Sequence, residues 1–455
     1  MFTFKYRHKD VDYYFLWDTE SGSLHTVDVA AFLVCKNETE GLTPDELSAY
    51  ENISDADKAE ILLELSALRE RGTAYAPENK IELPHSGEIK ALCLHICHDC
   101  NLACSYCFAK EGTYNTKRDY MSFEVGKAAL DFLMEKSGAR HNLEVDFFGG
   151  EPLMNFDVVK RLVTYGKMRA IENGKSIKFT LTTNGVLLND DAIKYLNDEM
   201  DNVVISIDGR REIHDKLRLT RNGKGSYDIV LKNAKKFRAV RGDKRYYVRG
   251  TFTANNIDFS EDVLHLNDCG FDQISIEPVV LPENSPLALK KEHLPKILSE
   301  YDRLAEEYIE RRKGDKWFNF FHFMIDLDNG PCIAKRLNGC GAGKEYLAIT
   351  PTGDIYPCHQ FVGGDGRFYM GNVLTGEFNR EVQKIFEGIN VYNKESCKNC
   401  VAKYYCSGGC LANAYNFNGD LKKPVELTCE LMRKRFTDSL AIYALEKAEK
   451  SGRNL

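Results

Sequence analysis

Cys100, Cys104 and Cys107 constrain this chain more than any other feature. They stand in the stretch His98-Asp-Cys-Asn-Leu-Ala-Cys-Ser-Tyr-Cys-Phe108, spaced CxxxCxxC, with an aromatic residue on either side of the last cysteine. Thiolates are the usual protein ligands of iron–sulfur clusters. A four-iron cluster takes four ligands, and a local motif of three leaves one iron open to a small molecule. The competing reading is three packed thiols or a zinc site. Further motifs downstream weigh against it.

The remaining cysteines make compartment the next question. The chain has 15, an odd number. Its first residues, Met1-Phe-Thr-Phe-Lys-Tyr-Arg-His8, contain no apolar signal region. No apolar run approaches the roughly 18 residues of a membrane span. The expectation is therefore a cytoplasmic protein with no membrane partner. Disulfides are rare in that compartment, so tight CxxC spacing reads as metal binding or redox chemistry. A net charge of −7 without a long basic run argues against nucleic acid as a partner.

A length of 455 residues suggests about three domains. Residues 1–80 read as a separate module. Tyr13-Tyr-Phe-Leu-Trp17 and Leu24-His-Thr-Val27 form a hairpin around Asp18-Thr-Glu-Ser-Gly-Ser23. Helices are expected at 29–35 and 44–50. A third starts at the N-cap Ser54, carries Ile61, Leu62, Leu65 and Leu68 on one face, and stops at Gly72. This pattern suggests a winged-helix-like module. Pro77 and Pro84 then bracket a polar linker.

Six strand–helix units follow, with strands at 89–96, 143–148, 177–182, 203–207, 246–253 and 273–280, and a helix such as 122–136 after Ser122. They imply an α/β fold with a parallel sheet and helices outside. Such sheets carry their sites at the C-terminal strand ends, and the three-cysteine loop follows the first strand. A helix is expected over 288–313. From Pro331 the chain is Gly- and Cys-rich with little periodicity, so metal is expected to replace a hydrophobic core there.

Motifs recur at strand ends. Gly149-Gly-Glu-Pro152 ends strand two, where glycines let a backbone approach a ligand and the Glu151 carboxylate can hold an ammonium group. Thr182-Thr-Asn-Gly185 and Ser206-Ile-Asp-Gly209 end strands three and four, and Arg249 lies on strand five. Far along the chain come Cys340, Cys358, Cys397, Cys400, Cys406, Cys410 and Cys429. Cys332 precedes Cys340 by eight residues. Cys35, Cys93, Cys97 and Cys269 fit no motif and read as core thiols, with Cys97 close to Cys100.

CxxxCxxC followed by GGEP resembles the radical S-adenosylmethionine (SAM) superfamily. The seven later cysteines resemble the SPASM extension of its peptide-modifying members. The layout as a whole resembles the SCIFF maturases, through His98-Asp-Cys100, Pro331-Cys-Ile-Ala-Lys-Arg-Leu-Asn-Gly-Cys-Gly341, Tyr356-Pro-Cys-His-Gln-Phe361 and Cys406-Ser-Gly-Gly-Cys410. The resemblance implies a winged-helix-like recognition module (1–80), a partial (β/α)6 barrel (86–282), a helical bridge (283–330) and a SPASM domain (331–455).

It also implies three 4Fe–4S clusters and SAM. One cluster sits on Cys100, Cys104 and Cys107. A second has ligands from Cys340, Cys358 and Cys410, with Cys332 or a substrate thiolate as the open question. The third is held by Cys397, Cys400, Cys406 and Cys429. Gly149, Gly150, Glu151, Pro152 and Ser206 would contact SAM, with Arg249, or else Arg218, on its carboxylate. The implied activity is thioether crosslinking of a small Cys-rich ribosomal peptide by a 5′-deoxyadenosyl radical. The precursor's leader would add as a strand to the first module, and a flavodoxin or ferredoxin would supply electrons. His359 would be the acid/base candidate. The alternative is an anaerobic sulfatase-maturating enzyme, which resembles this chain in core and SPASM motifs but has Asp where His359 stands. An iron–sulfur electron-transfer scaffold is a third reading, disfavoured by GGEP and the open three-cysteine site.

Overall fold

The computed structural model describes residues 1–82, 87–330 and 332–452. Pro84 and Pro331, used above as boundaries, lie outside the described residues.

The chain opens with an antiparallel sheet of β1 (Phe2–His8), β2 (Val11–Asp18) and β3 (Ser23–Val27), in that order. The hairpin was expected, and β1 is an addition. Helices α1 (Val29–Thr39), α2 (Pro44–Glu51) and α3 (Asp55–Glu70) follow. Thr43 and Glu46 close a capping box on α2, and Ser54 Oγ accepts from Asp57 N at 3.1 Å to start α3. Leu65 is buried against α1, but Leu62 is 42% exposed and falls off the expected packing face.

This module is docked. Trp17 is fully buried, stacks edge-on against Phe436 and Tyr405, and donates its Nε1–H to the Val401 carbonyl at 3.1 Å. Glu20 pairs with Lys403 at 2.5 Å and accepts from Tyr404 Oη at 2.9 Å.

The centre of the molecule runs β4 (Ala91–Cys97), β5 (Leu102–Cys104), α4 (Phe123–Lys136), β6 (Asn142–Gly149), α5 (Phe156–Glu172), β7 (Ser176–Thr183), α6 (Asp190–Glu199) and β8 (Asn202–Ser206). It continues with α7 (Arg211–Leu217), β9 (Arg218–Thr220), α8 (Tyr227–Arg241), β10 (Arg245–Phe252), α9 (Phe259–Asp268), β11 (Gln273–Pro278), α10 (Leu294–Arg311) and β12 (Asn319–Phe320). The six expected strands are parallel neighbours in chain order, β4-β6-β7-β8-β10-β11, with β12 added beyond β11.

Alternation along each strand splits the sheet into two faces. Leu92, Leu94, Val145, Phe147, Phe179, Leu181, Val203, Ile205, Val248 and Ile274 are buried on one face. The other carries Phe148 and the polar Asp146, Thr180, Thr182, Ser206, Arg249 and Glu277, and these side chains line the inside of the partial barrel.

Two expectations need correction. The bridge helix begins at Leu294 rather than 288, because Pro295 is tolerated only in a first turn. The Cys-rich region also has a hydrophobic core. Phe361, Phe368, Phe386 and Tyr415 pack ring against ring, and a helix over Glu426–Ser451 packs on α10. This region also extends the central sheet. β13 (Tyr346–Ile349) pairs in parallel with β4, and β14 (Ile355–Tyr356) closes that edge antiparallel.

Candidate active site

The three-cysteine loop leaves β4 at the C-terminal edge of the sheet, and successive strand ends hold it. Gly150 N donates to Cys97 O and Glu151 N to Asp99 O, both at 2.9 Å. A Cβ on Gly150 would lie 1.8 Å from Asp99 O, and one on Gly149 (φ +120°) 2.4 Å from Cys97 O. The glycines are therefore required where GGEP crosses the cysteine loop. Cys97 Sγ donates to the Glu151 carbonyl at 3.1 Å, which makes Cys97 part of this clamp rather than an incidental thiol.

Glu151 is fully buried. Its Oε1 accepts from Thr183 Oγ1 at 2.7 Å and Leu153 N at 3.0 Å, and its Oε2 from Asn184 N at 2.7 Å. The carboxylate thus joins the GGEP segment to Thr182-Thr-Asn-Gly185. Asn184 Nδ2 in turn donates to Asn101 Oδ1 at 2.7 Å and reaches Cys100 Sγ at 3.5 Å.

Strand four contributes Asp208, which accepts from Tyr106 Oη at 2.7 Å and Thr251 N at 3.1 Å. Tyr106 also accepts from Arg218 Nη1 at 2.7 Å. Arg218 is buried opposite Cys104 in the β5–β9 ladder, and its Nε has no hydrogen-bond partner among the described residues. Arg249 sits elsewhere. It is paired in register with Ser206, its side chain is 54% exposed, and it reaches Glu277 at 3.9 Å. Of the two arginine candidates, Arg218 is the one at the cysteine loop.

The thiols are electrostatically out of balance. Burial, then the charge of Glu151, pushes Cys100 up to about 12. Burial pushes Cys104 up to about 11, against the opposing pull of Arg218. Cys104 and Cys107 lie within the field of Cys100. Among the described residues no three His, Cys, Asp or Glu side chains converge tightly enough for one metal ion. Three neighbouring thiols of that kind suit a larger cationic group.

The later cysteines form two groups. Cys358 is buried in the field of Cys410 and Cys340, beside a cavity of about 350 Å³ lined by these three, Asp146, Tyr346 and His359. Cys332 is exposed at the cap of the short helix Ile333–Asn338. Cys429, in the first turn of the C-terminal helix, meets the fields of Cys406, Cys397 and Cys400, and burial raises it to about 12. His359 lies between the Cys358 group and the three-cysteine loop. Its ring stacks on Phe148 at 5.1 Å and on Phe108 at 5.4 Å, and its Nδ1 is buried without a hydrogen-bond partner among the described residues. Burial holds it at about 4.

A family model described as the radical SAM superfamily matches residues 94–276, and one described as an iron–sulfur cluster-binding domain, SPASM, matches residues 340–401. The chain belongs to the radical SAM superfamily. The family's 4Fe–4S clusters and SAM fit the residues present, since buried thiols with elevated pKa need a cationic centre to ionise them.

Among similar proteins, the cysteine-type anaerobic sulfatase-maturating enzyme of Clostridium novyi is 28% identical, over 69% of this chain and 86% of its own length. The cyclopropyl synthase TigE of Paramaledivibacter caminithermalis is 25% identical over 84% of each. The protein MJ0907 of Methanocaldococcus jannaschii is 30% identical over 63% of this chain and 89% of its own. Two solved structures share the fold. The enzyme anSMEcpe with bound AdoMet and Cp18Cys peptide has a TM-score of 0.64 at 18% identity, covering 79% of this chain and 98% of its own. Streptococcus suis SuiB bound to precursor peptide SuiA has a TM-score of 0.51 at 17%, covering 91% and 95%.

Sequence reasoning missed a second polar cluster inside the barrel. Glu277 on β11 meets Arg435 of the C-terminal helix at 3.4 Å and His322 at 3.7 Å, while Ser275 Oγ lies 3.2 Å from His322 Nε2. The charges of His322, Arg435 and Arg249 overcome burial and hold Glu277 at about 2. The available signal was the acidic residue at the end of strand six. Its partners lie on distant elements.

Proposed function

We propose that this radical SAM/SPASM enzyme installs Cys-derived thioether crosslinks in a ribosomally made, Cys-rich precursor peptide. The observation that carries this reading is the docked N-terminal module. Its β3 pairs only with β2 among the described residues, and a groove of about 580 Å³ opens beside it, lined by Tyr13, Tyr14, Thr26 and Val27. An unpaired strand edge is the usual acceptor for an extended peptide. SuiB, solved with its precursor peptide SuiA bound, is matched over 91% of this chain and anSMEcpe over 79%.

In this reading Cys100, Cys104 and Cys107 hold the cluster that binds SAM. Cys340, Cys358 and Cys410 hold a second, and Cys397, Cys400, Cys406 and Cys429 a third. Bound together, the first cluster and SAM supply a 5′-deoxyadenosyl radical. The chain's own residues position and shield. The GGEP carbonyls would hold the SAM ammonium, since the Glu151 carboxylate is already occupied. Arg218 would offer its free Nε to the SAM carboxylate, and Ser206 would line the ribose side. Phe108, Phe148 and His359 wall off the space between the three-cysteine loop and the Cys358 cavity and would keep solvent out of it. A flavodoxin or ferredoxin is the reductant this scheme requires.

Sulfatase maturation is the second reading, supported by the relative from Clostridium novyi. His359 after Cys358, and the N-terminal module, speak for the first. Reconstituted anaerobically with SAM and reductant, the enzyme should modify a leader-bearing Cys-rich peptide and leave a sulfatase-derived peptide unchanged. Formylglycine in the sulfatase peptide would reverse the order of the two readings.

A further inference from the structure

Lysine is seldom buried, because its ammonium must give up water. Lys394 is only 2% exposed. Its Nζ donates to the Gly408 carbonyl at 2.6 Å. That carbonyl lies in Cys406-Ser-Gly-Gly-Cys410, the loop whose two ends supply one thiol to each C-terminal group. Gly408 has φ +83°, and a Cβ there would stand 3.0 Å from Nζ, so the loop is folded closely round the ammonium. The backbone closes the other side, where Lys394 O accepts from Cys397 N at 2.9 Å. The acceptor on Nζ is a neutral carbonyl, and no carboxylate pairs with it among the described residues. Burial pulls the Lys394 ammonium down in pKa, and the fields of Cys397, Cys406, Cys410 and Cys429 oppose that pull.

A second buried lysine, held down at about 8 by burial and then by the charge of Lys394, lies near the first. Lys344 is 8% exposed, donates to Asn338 Oδ1 at 2.7 Å and to the Ile389 carbonyl, and lies in the field of Cys340.

We propose that Lys394 is a built-in cation shared by the two C-terminal clusters, raising the reduction potential of both so that each accepts an electron more readily. The inference rests on the reading that these seven cysteines hold two iron–sulfur clusters. One-electron reduction adds a unit of negative charge to a cluster. A fixed cation in a poorly screened interior stabilises that reduced form, and net charge near the cluster is a main determinant of its potential. Lys394 is a positioning residue here, acting on the clusters without ligating them. Lys344 does the same for the cluster of Cys340, Cys358 and Cys410.

The test is a redox titration of the full-length reconstituted enzyme followed by electron paramagnetic resonance. The SAM-binding cluster is recognised because its signal changes when SAM is added. Iron content is measured in parallel. Lys394→Gln keeps a donor for the Gly408 carbonyl and removes the charge. It should hold wild-type iron and shift both C-terminal clusters to more negative potential. Lys394→Arg keeps the charge and should leave both near wild type. Lys344→Met should shift one cluster and spare the other. Unchanged potentials in Lys394→Gln at full iron content would overturn the inference while leaving the cluster assignment standing. Loss of iron from both Lys394 variants would also overturn it, by making the residue a packing element. A wild-type enzyme with iron for one cluster only would instead overturn the assignment beneath it.

Discussion

At the scale of single residues, the site depends on close backbone approach. Gly150→Ala would place a methyl group against the Asp99 carbonyl, and overpacking against fixed backbone costs about 1–3 kcal/mol or more. The expected result is a partial loss of iron together with loss of SAM cleavage, read by iron content and 5′-deoxyadenosine yield. The two arginines should separate cleanly. Arg218→Lys should weaken SAM binding at least tenfold by calorimetry. Arg249→Ala should leave SAM affinity near wild type and lower peptide turnover. His322 carries a pH dependence. Burial lowers it from 6.5 to about 3, so below about pH 6.5 the unfolded chain takes up a proton that the folded chain refuses. Stability therefore falls with acid, by about 2 kcal/mol at about pH 5, and is unaffected above neutrality. Urea midpoints should show His322→Asn flattening that acid limb. CxxxCxxC and GGEP were legible in the sequence because their members are local. Glu277, His322 and Arg435 were not, because only the fold brings them together.

At the scale of elements, the six strands of the barrel were read correctly because their β-branched and aromatic runs are short and flanked by turns. The strand Phe2–His8 carries the same alternation, with Phe4, Tyr6 and His8 buried, but Lys5, Arg7 and His8 make it far less apolar than Tyr13–Trp17. The C-terminal helix was hidden because it packs on several sides, which removes the single apolar stripe that marks a surface helix. The N-terminal module is the element with the clearest prediction. Trp17→Ala should cost about 3–5 kcal/mol and loosen the module from the C-terminal region, lowering peptide affinity while SAM cleavage without peptide continues. Deleting residues 1–80 should remove leader binding in the same way. Unchanged peptide affinity, measured by fluorescence anisotropy of a labelled leader, would count against its recognition role.

For the whole molecule, β13 binds the segment between Cys340 and Cys358 into the same sheet as β4, so that segment and the three-cysteine loop leave one continuous frame. No helix among the described residues is long and apolar enough to cross a membrane. On that frame the three-cysteine loop and the Cys358 cavity face one another across Phe108, His359 and Phe148, an arrangement that suits radical formation at one end and sulfur chemistry at the other. The most direct test counts products in one anaerobic reaction with the leader-bearing peptide: 5′-deoxyadenosine by chromatography, peptide mass, and free thiols by alkylation. Thioether formation predicts loss of two hydrogens and one free thiol for each productive deoxyadenosine. Deoxyadenosine accumulating while every peptide thiol stays free would contradict the account.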